Sequence, residues 1–458
     1  MADGSGEIYA SIDLSLRVGE MLLSGGAGAA DVAATMMTVT TACGLRGCVV
    51  DINFSTISVS YQASPNSPPE THMRTVQHRG FDYGYLAEAD QLTRNLAEGK
   101  ITRAEASQRM NDIRSTKRPY PRWVVTASVG MMAAGVSLLF RGGPLVVFIA
   151  FCAAIAIELI DSSLMRRRIP KFYGRVAGAV VAAVTAVGVH EFDLPARPSL
   201  VITAGIIVLL AGIAFVGAIQ DALTGYYVTG AARTFEALLL TGGVIAGITM
   251  SLTIAQNFGV RMDVSTETGG LSELPMQLVG SAITTVAFAI SCQVHKWALV
   301  GCGLVGLLAQ MLFQLSIAAR LGPTAASATA AFGVGLVAYA VGARVRTPPL
   351  VIVTTSIVAL LPGFTIYKGL FALLNENIYG MFTLLTAASI AIALAAGAIL
   401  GEYVAQPVAR EARRLETRLS GPRLVGPLRP VSRRTQRKAR RNLQRQIQPE
   451  EREAGRSD

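Results

Sequence analysis

Hydrophobic and polar positions divide the chain into an amphipathic first quarter and a strongly apolar remainder. From Trp123 onward, apolar runs long enough to cross a bilayer recur between short polar links. We predict ten spans, at residues 123–140, 144–162, 175–190, 199–219, 235–255, 275–293, 297–317, 323–343, 348–371 and 378–404. The expected fold is a polytopic α-helical membrane protein, with one membrane repeat of five spans over 121–260 and a second over 261–404.

The first 120 residues have the pattern of a small α+β domain. Helical periodicity predicts helices over 12–24, 29–42, 83–98 and 100–114, and alternation predicts strands over 48–61 and 71–78. A turn is expected near Asn53, and the spacing of Thr102 and Glu105 is typical of a capping box. Because residues 1–20 lack the apolar core of a signal peptide, we expect this domain to stay in the cytoplasm.

Positive charge is concentrated in alternate links between the predicted spans. Lys and Arg are frequent in 114–122 and 165–175 and recur in 343–347, whereas 190–198 holds one Arg and 256–275 is acidic overall. Basic loops normally stay in the cytoplasm. The chain is therefore expected to be a multi-pass protein of the inner membrane with both termini in the cytoplasm.

Composition excludes a soluble globular protein, since 51% of the 458 residues are hydrophobic and 16% are charged. The net charge of +11 comes mainly from residues 405–458, where 15 Lys and Arg face 6 Asp and Glu. This tail is predicted to be mostly disordered and to bind anionic lipids, with no need for a nucleic-acid partner. The five cysteines show neither a disulfide framework nor a metal spacing, and no cofactor is expected.

One apolar segment occurs twice. Without gaps, Pro198 aligns with Pro349 and Gly212 with Gly363, and most positions between them match conservatively. The two copies belong to spans that run in opposite directions, which is what an inverted 5+5 repeat of a secondary transporter requires. The alternative is that two apolar helices resemble each other by composition alone.

The repeated segments also carry helix-breaking residues, Gly212 in one copy and Leu361-Pro362-Gly363 in the other. Broken helices expose backbone N–H groups, which bind carboxylates, and carbonyl ends, which bind ammonium groups or cations. The alternative is a kink that serves packing. The candidate substrate-binding residues are Gly212, Gln220, Asp221, Pro362, Gly363 and Lys368.

Carboxylates in or beside the spans are candidates for proton coupling, because ionisable groups in a membrane are costly. The candidates are Glu158, Asp161, Asp221 and Glu236. Glu158 is the preferred relay, and Asp161 has the alternative of an ion pair with Arg166 or Arg167. For Glu236 the favoured interpretation is an intrahelical pair with Arg233, three residues earlier.

Several segments together resemble the bacterial threonine/serine exporter family. They are GEMLLSGGAGAADVAATMMTVTTACGL, INFSTISVSY, EGKITRAEASQRMNDI, LLAGIAFVGAIQDALTGYYVTGAARTFEALL and PPLVIVTTSIVALLPGFTIYKGL. The resemblance implies ten membrane helices, a cytoplasmic amino-terminal domain and export of threonine and serine driven by the proton motive force. One departure is Gly28-Ala29-Ala30-Asp31-Val32, where members often show Gly-Ala-x-Thr-x-x-Val-Glu.

We therefore predict a proton-coupled exporter of small hydrophilic amino acids, not an enzyme, with an amino-acid substrate and protons as its partners. An exporter of dicarboxylates is an alternative, because related split-subunit members handle succinate. A membrane-anchored sensor or enzyme acting through residues 1–120 is another, although that region lacks a nucleophile elbow, a P-loop or a metal-ligand spacing. The sequence does not rank the substrates or specify the coupling ion. A homo-oligomer is among the oligomeric states that it allows.

Overall fold

The structure is a computed structural model. It describes residues 2–64, 66–76, 79–116, 118–192, 200–201, 204–205, 209, 212–257, 273–374 and 376–419. Most of the predicted fourth span, most of the link at 256–275 and the tail beyond 419 lie outside these residues. The described helices up to Ala409 belong to one compact unit.

The amino-terminal region combines two helix pairs with a small sheet. In chain order its elements are α1 (Ala2–Ser24), α2 (Ala29–Ala42), β1 (Val49–Asn53), β2 (Thr56–Tyr61), β3 (Glu70–Thr75), α3 (Tyr83–Ala97) and α4 (Arg103–Ser115). The sheet is antiparallel in the order β1-β2-β3. The predicted helices and strands are confirmed, except that the first helix begins ten residues earlier than expected.

Local sequence signals explain these elements. Along β2, Ile57 and Val59 are buried and alternate with more exposed neighbours, as one covered face of a sheet requires. The predicted capping box begins α4, with Glu105 N donating to Thr102 Oγ1 and Thr102 N donating to Glu105 Oε2. Arg74 on β3 forms ion pairs with Asp13 and Glu20, and so ties the sheet to α1.

Eight helices in the described part of the chain are long and apolar enough to cross a membrane. They are α5 (Arg122–Leu139), α6 (Pro144–Arg166), α7 (Lys171–Glu191), α9 (Tyr227–Asn257), α10 (Leu274–Ser291), α11 (Lys296–Ala318), α12 (Pro323–Arg344) and α15 (Tyr379–Leu419). Each corresponds to a predicted span. A short apolar helix, α8 (Gly212–Leu223), precedes α9.

The predicted ninth span is broken where the sequence indicated. It consists of α13 (Pro349–Ser356), a 3₁₀ turn (Val358–Leu360) and α14 (Gly363–Leu374). Between them Leu361 has an extended backbone, with φ −59° and ψ 138°. Proline disfavours helix at the residue before it and lacks an N–H, so the break at Leu361-Pro362 follows from Pro362.

Glycines let the membrane helices approach closely. In the crossing of α5 and α10, a Cβ atom added to Gly135 would lie 2.8 Å from Gly280 O, and one added to Gly280 would lie 2.8 Å from Gly135 O. A Cβ on Gly243 of α9 would lie 2.9 Å from the α7 backbone, and glycines of α12 and α15 contact the facing backbone similarly. Small residues at such crossings permit backbone contact, which drives helix packing in lipid.

Candidate functional site

The two glycine-marked segments lie in contact. A Cβ atom added to Gly212, the first residue of α8, would lie 3.2 Å from Leu361 Cδ1 at the break before α14. Gly212, Pro362 and Gly363 are all buried. The start of α8 therefore packs against the break in the other copy of the repeated segment.

A buried ion pair joins α8 to α9. Arg233 Nη1 donates to Asp221 Oδ2 at 2.6 Å, and the two side chains are 10% and 1% exposed. Gly217, one turn before Asp221, makes room for the guanidinium, since a Cβ atom there would lie 2.7 Å from Arg233 Nη2. A buried charge is costly unless it is paired, so each of these groups depends on the other.

The predicted intrahelical pair between Arg233 and Glu236 is wrong. The chain reverses at Gly225, whose φ of +95° suits glycine, and α9 folds back along α8. Arg233 therefore faces Asp221 across the reversal, and Glu236 instead approaches Lys171 of α7, with Nζ 3.9 Å from Oε1. The observed contact joins two helices and buries the guanidinium beside Asp221, which the spacing of residues along α9 does not specify.

Asp221 also binds the amino-terminal end of α2. Ala29 N donates to Asp221 Oδ1 at 2.8 Å, although 192 residues separate them. The cap residue Gly28 has no side chain that could accept a hydrogen bond from the start of α2. The carboxylate of Asp221 on α8 takes that place and satisfies a free N–H group at the positive end of the helix. A Cβ atom on Gly28 would lie 3.3 Å from that carboxylate, which favours glycine there.

Asp31 extends this cluster one turn into α2. Its side chain is accessible to solvent, yet many protein atoms lie around the carboxylate. This surrounding protein, followed by the negative charges of Asp221 and Asp90, raises the pKa of Asp31 to about 6. Glu402 on α15 is near enough to interact electrostatically with Asp31. Carboxylates from four separate helices thus lie within electrostatic reach of Asp31 or belong to it.

The β1–β2 turn is anchored on α9 near the ion pair. Thr229 Oγ1 donates to Ile52 O and accepts a hydrogen bond from Phe54 N, both at 3.1 Å. Phe54 has a φ of +37°, in the left-handed region that non-glycine residues seldom adopt. Its ring lies under the guanidinium of Arg79, whose Cζ is 5.2 Å from the ring centroid.

The remaining predicted residues lie on three helices, α8, α14 and α6. Gln220 is half-buried beside Asp221, and Lys368 lies over the Phe364 ring at 4.7 Å. Glu158 and Asp161 lie on α6 and face α7, where Asp161 contacts Gly174.

The proposed pairing of Asp161 with Arg166 or Arg167 is not found among the described residues, and Asp161 Oδ1 is buried without a hydrogen-bond partner. Glu158 interacts electrostatically with Asp161 and with Arg175. These carboxylates thus form a second polar locus, between α6 and α7.

Sequence reasoning missed Gly28, Ala29, Asp31 and Arg79 as site residues. No spacing rule joins the start of α2 to a carboxylate on α8, and Arg79 follows a strand without any recognisable motif. The signal that could have drawn attention was Gly28-Ala29-Ala30-Asp31, where the chain departs from a pattern that members of the family often show. In the part of the chain that the structure describes, no three His, Cys, Asp or Glu residues could hold a metal ion.

Comparison with known proteins gives consistent matches along the chain. Models of the threonine/serine exporter family, ThrE and ThrE_2, match residues 13–255 and 277–404. A probable threonine/serine exporter of Mycobacterium tuberculosis is 36% identical over 422 residues, covering 90% of this chain and 80% of the relative. A threonine/serine exporter of Corynebacterium glutamicum is 31% identical over 415 residues, covering 89% and 85%.

A more distant similarity covers a smaller part of the chain. The probable succinate transporter subunit YjjP of Escherichia coli is 26% identical over 188 residues, which cover 40% of this chain and 72% of the relative. No solved structure matches the chain.

Proposed function

This chain belongs to the threonine/serine exporter family, and from that membership we propose that it exports threonine and serine from the cytoplasm, driven by the proton motive force. The observation that carries the proposal is the position of the Asp221–Arg233 pair. Asp221 lies nine residues along α8 from Gly212, which contacts Leu361. Buried charges beside a broken membrane helix are typical of transport sites.

An inverted 5+5 repeat supports the proposed alternating-access mechanism. We take α5, α6, α7, α8 and α9 as spans one to five, and α10, α11, α12, α13 with α14, and α15 as spans six to ten. Two contacts between helices then recur in both halves. The contact of α5 with α6 corresponds to that of α10 with α11, and the contact of α6 with α7 to that of α11 with α12. Another strong contact, α5 with α10, joins the first spans of the two halves, as a pseudo-two-fold axis requires.

The alignment of the repeated segments extends to a close contact. Continued without gaps, the alignment that pairs Gly212 with Gly363 also pairs Ala218 with Gly369. A Cβ atom on Gly230 would lie 2.8 Å from Ala218 O, and Gly380 contacts Gly369 O in the same way. The fourth and fifth spans thus meet as the ninth and tenth do, which supports a shared structural origin rather than a chance likeness of composition.

In the proposed mechanism substrate binds between the two broken segments, and Asp221 or Glu158 carries the coupled proton. Asp221 is tied to Arg233 and Ala29, so a proton on Asp221 would weaken both interactions and loosen α2 from α8. Glu158 is half-buried between α6 and α7. In this proposal the protein lies in the inner membrane. Residues 1–120 and both termini lie in the cytoplasm.

Transport into inside-out membrane vesicles tests the function, because export then becomes accumulation from the bath. Vesicles that contain the protein should accumulate labelled threonine and serine when energised, and an uncoupler should abolish the accumulation. Vesicles without the protein are the control. Equal accumulation in both would refute the export of these amino acids.

A second candidate cargo is a dicarboxylate, which the similarity to the succinate transporter subunit favours. Labelled succinate in the same vesicles decides between the cargoes. Accumulation of succinate without threonine would replace the proposed substrate, while leaving the transporter and its coupling in place.

A further inference from the structure

The guanidinium of Arg79 is buried and has no hydrogen-bond partner among the residues that the structure describes. Arg79 lies in the loop between β3 and α3, and its Nε, Nη1 and Nη2 atoms are all enclosed by protein without an acceptor within reach. Buried polar groups in proteins are nearly always hydrogen-bonded, and an unsatisfied charged group is the most expensive exception. Such a group requires an explanation, and a ligand that is bound only part of the time supplies one.

The loop holds Arg79 in place. Gly80 N donates to Ser24 O at 2.9 Å and Asp82 N donates to Gly25 O at 3.2 Å, so the residues after Arg79 are fixed to the connection between α1 and α2. The ring of Phe54 supports one face of the guanidinium at 5.2 Å. The planar donor fork is thus oriented in advance, which lowers the entropic cost of binding an acceptor.

Charges of both signs act on Arg79, but the two carboxylates among them already have other partners. Arg233 repels the guanidinium, while Asp221 and Glu236 attract it. Asp221 is already bound by Arg233 and by the α2 backbone, and Glu236 approaches Lys171. Burial, followed by the charge of Arg233, lowers the pKa of Arg79 to about 10, so the group stays charged at neutral pH. An anion would therefore be stabilised here.

We propose that Arg79 binds the carboxylate of the transported molecule at a second position on its path, beside the Asp221–Arg233 pair and nine residues along α8 from the contact of Gly212 with Leu361. Arginine suits this role because its fork matches the two oxygens of a carboxylate. A zwitterionic amino acid would place its ammonium group toward Glu236, the neighbouring carboxylate that is held only by a long contact to Lys171. The assignment rests on the proposed transport function and names the group that would recognise the substrate.

Binding to the purified full-length protein tests the proposal, with labelled L-threonine competed by L-threonine, L-serine, succinate and threonine amide. Threonine amide keeps every group of threonine except the carboxylate. Wild type should prefer threonine to its amide, and Arg79→Gln should weaken threonine binding about ten- to hundredfold, as the loss of a charged hydrogen bond implies. The variant should bind the amide as wild type does, so the preference disappears.

Two further variants separate recognition from folding. Arg79→Lys keeps the charge without the fork and should retain part of the preference for threonine over the amide. Arg118→Gln is the matched control, because Arg118 also stacks on an aromatic ring, that of Tyr85, yet its side chain is 59% exposed. Arg118→Gln should leave both ligands unaffected.

Other outcomes overturn the proposal. If Arg79→Gln weakens threonine and its amide equally, or leaves threonine binding unchanged, Arg79 does not recognise a carboxylate. If wild type binds no carboxylate of the panel better than the amide, the site is refuted outright. Binding of succinate but not of threonine, lost in Arg79→Gln, would refute the amino-acid cargo and support the role of Arg79.

Discussion

Asp221 and Arg233 form a buried ion pair whose carboxylate also accepts a hydrogen bond from the first residue of α2. One side chain thereby connects α8, α9 and the amino-terminal region. Because the pair is almost fully enclosed, it belongs to the class of ion pairs in which the loss of one partner is far more harmful than the loss of both.

Removal of one charge from this pair should destabilise the protein strongly. Asp221→Asn keeps an acceptor for Ala29 N but leaves Arg233 buried without a counter-charge, at a cost of about 3–5 kcal/mol. We expect a large fall in the thermal unfolding midpoint of the full chain in detergent. The double variant with Arg233→Met should recover most of the loss.

The pair of Asp90 and Arg94, whose side chains are 32% and 57% exposed, is far less enclosed and provides the control. Arg94→Gln breaks an i,i+4 contact worth about 0.3–0.5 kcal/mol and should hardly move the midpoint. Equal effects of Asp221→Asn and Arg94→Gln would contradict the importance given to burial.

Enlargement of Gly212 should abolish transport. Leu in place of Gly212 would collide with Leu361, which lies 3.2 Å from the position of the added Cβ atom. Gly363→Leu should act at the adjacent break, where Gly363 is buried two residues after Leu361. Efflux of labelled threonine from cells is the measurement, with membrane content checked by immunoblotting.

Gly242→Leu is the matched control for these variants. Gly242 also lies in an apolar membrane helix, but a Cβ atom there meets nothing within 4 Å. Its efflux should stay close to wild type. Normal efflux from both Gly212→Leu and Gly363→Leu would remove the proposed site between the broken helices.

Ionisation of Asp31 should make stability fall as pH rises. The pKa of Asp31 is about 6 in the folded protein, against roughly 3.9 in an unfolded chain. The folded state therefore holds the proton more tightly, and its contribution to stability is fully present below about pH 4 and lost by about pH 6. Asp31→Asn should remove this component. The unfolding midpoint of the variant relative to that of wild type should therefore be higher at pH 7 than at pH 5.

Thermal unfolding of the full chain at several pH values between 5 and 7.5 measures this effect. Asp112→Asn, a change of an exposed carboxylate on α4, is the control and should leave the pH dependence intact. An identical pH profile for wild type and Asp31→Asn would show that the surrounding protein and the charges of Asp221 and Asp90 do not perturb Asp31 as described.

Neutralisation of Glu158 should uncouple transport from the pH gradient. A half-buried carboxylate between two membrane helices can exchange a proton with either side as the helices move, whereas Gln cannot. In inside-out vesicles, Glu158→Gln should still equilibrate threonine but no longer accumulate it. Unchanged accumulation by Glu158→Gln would refute the relay.

Much of the fold follows from local sequence. The capping box at Thr102, the hairpin at Asn53 and the eight long apolar helices were all predicted, because each depends on residues close in the chain. The break before Gly363 was predicted for the same reason, since Pro362 alone is enough to interrupt a helix.

The site itself depended on distant contacts. The sequence by itself marked Gly212, Asp221 and Gly363, because interrupted and charged positions are rare in apolar spans. Only the tertiary structure paired Asp221 with Arg233 instead of Arg233 with Glu236, placed Ala29 on that carboxylate, and left Arg79 without an acceptor. Burial and charge compensation are properties of the packed molecule, and no spacing along the chain specifies which groups will share an enclosed space.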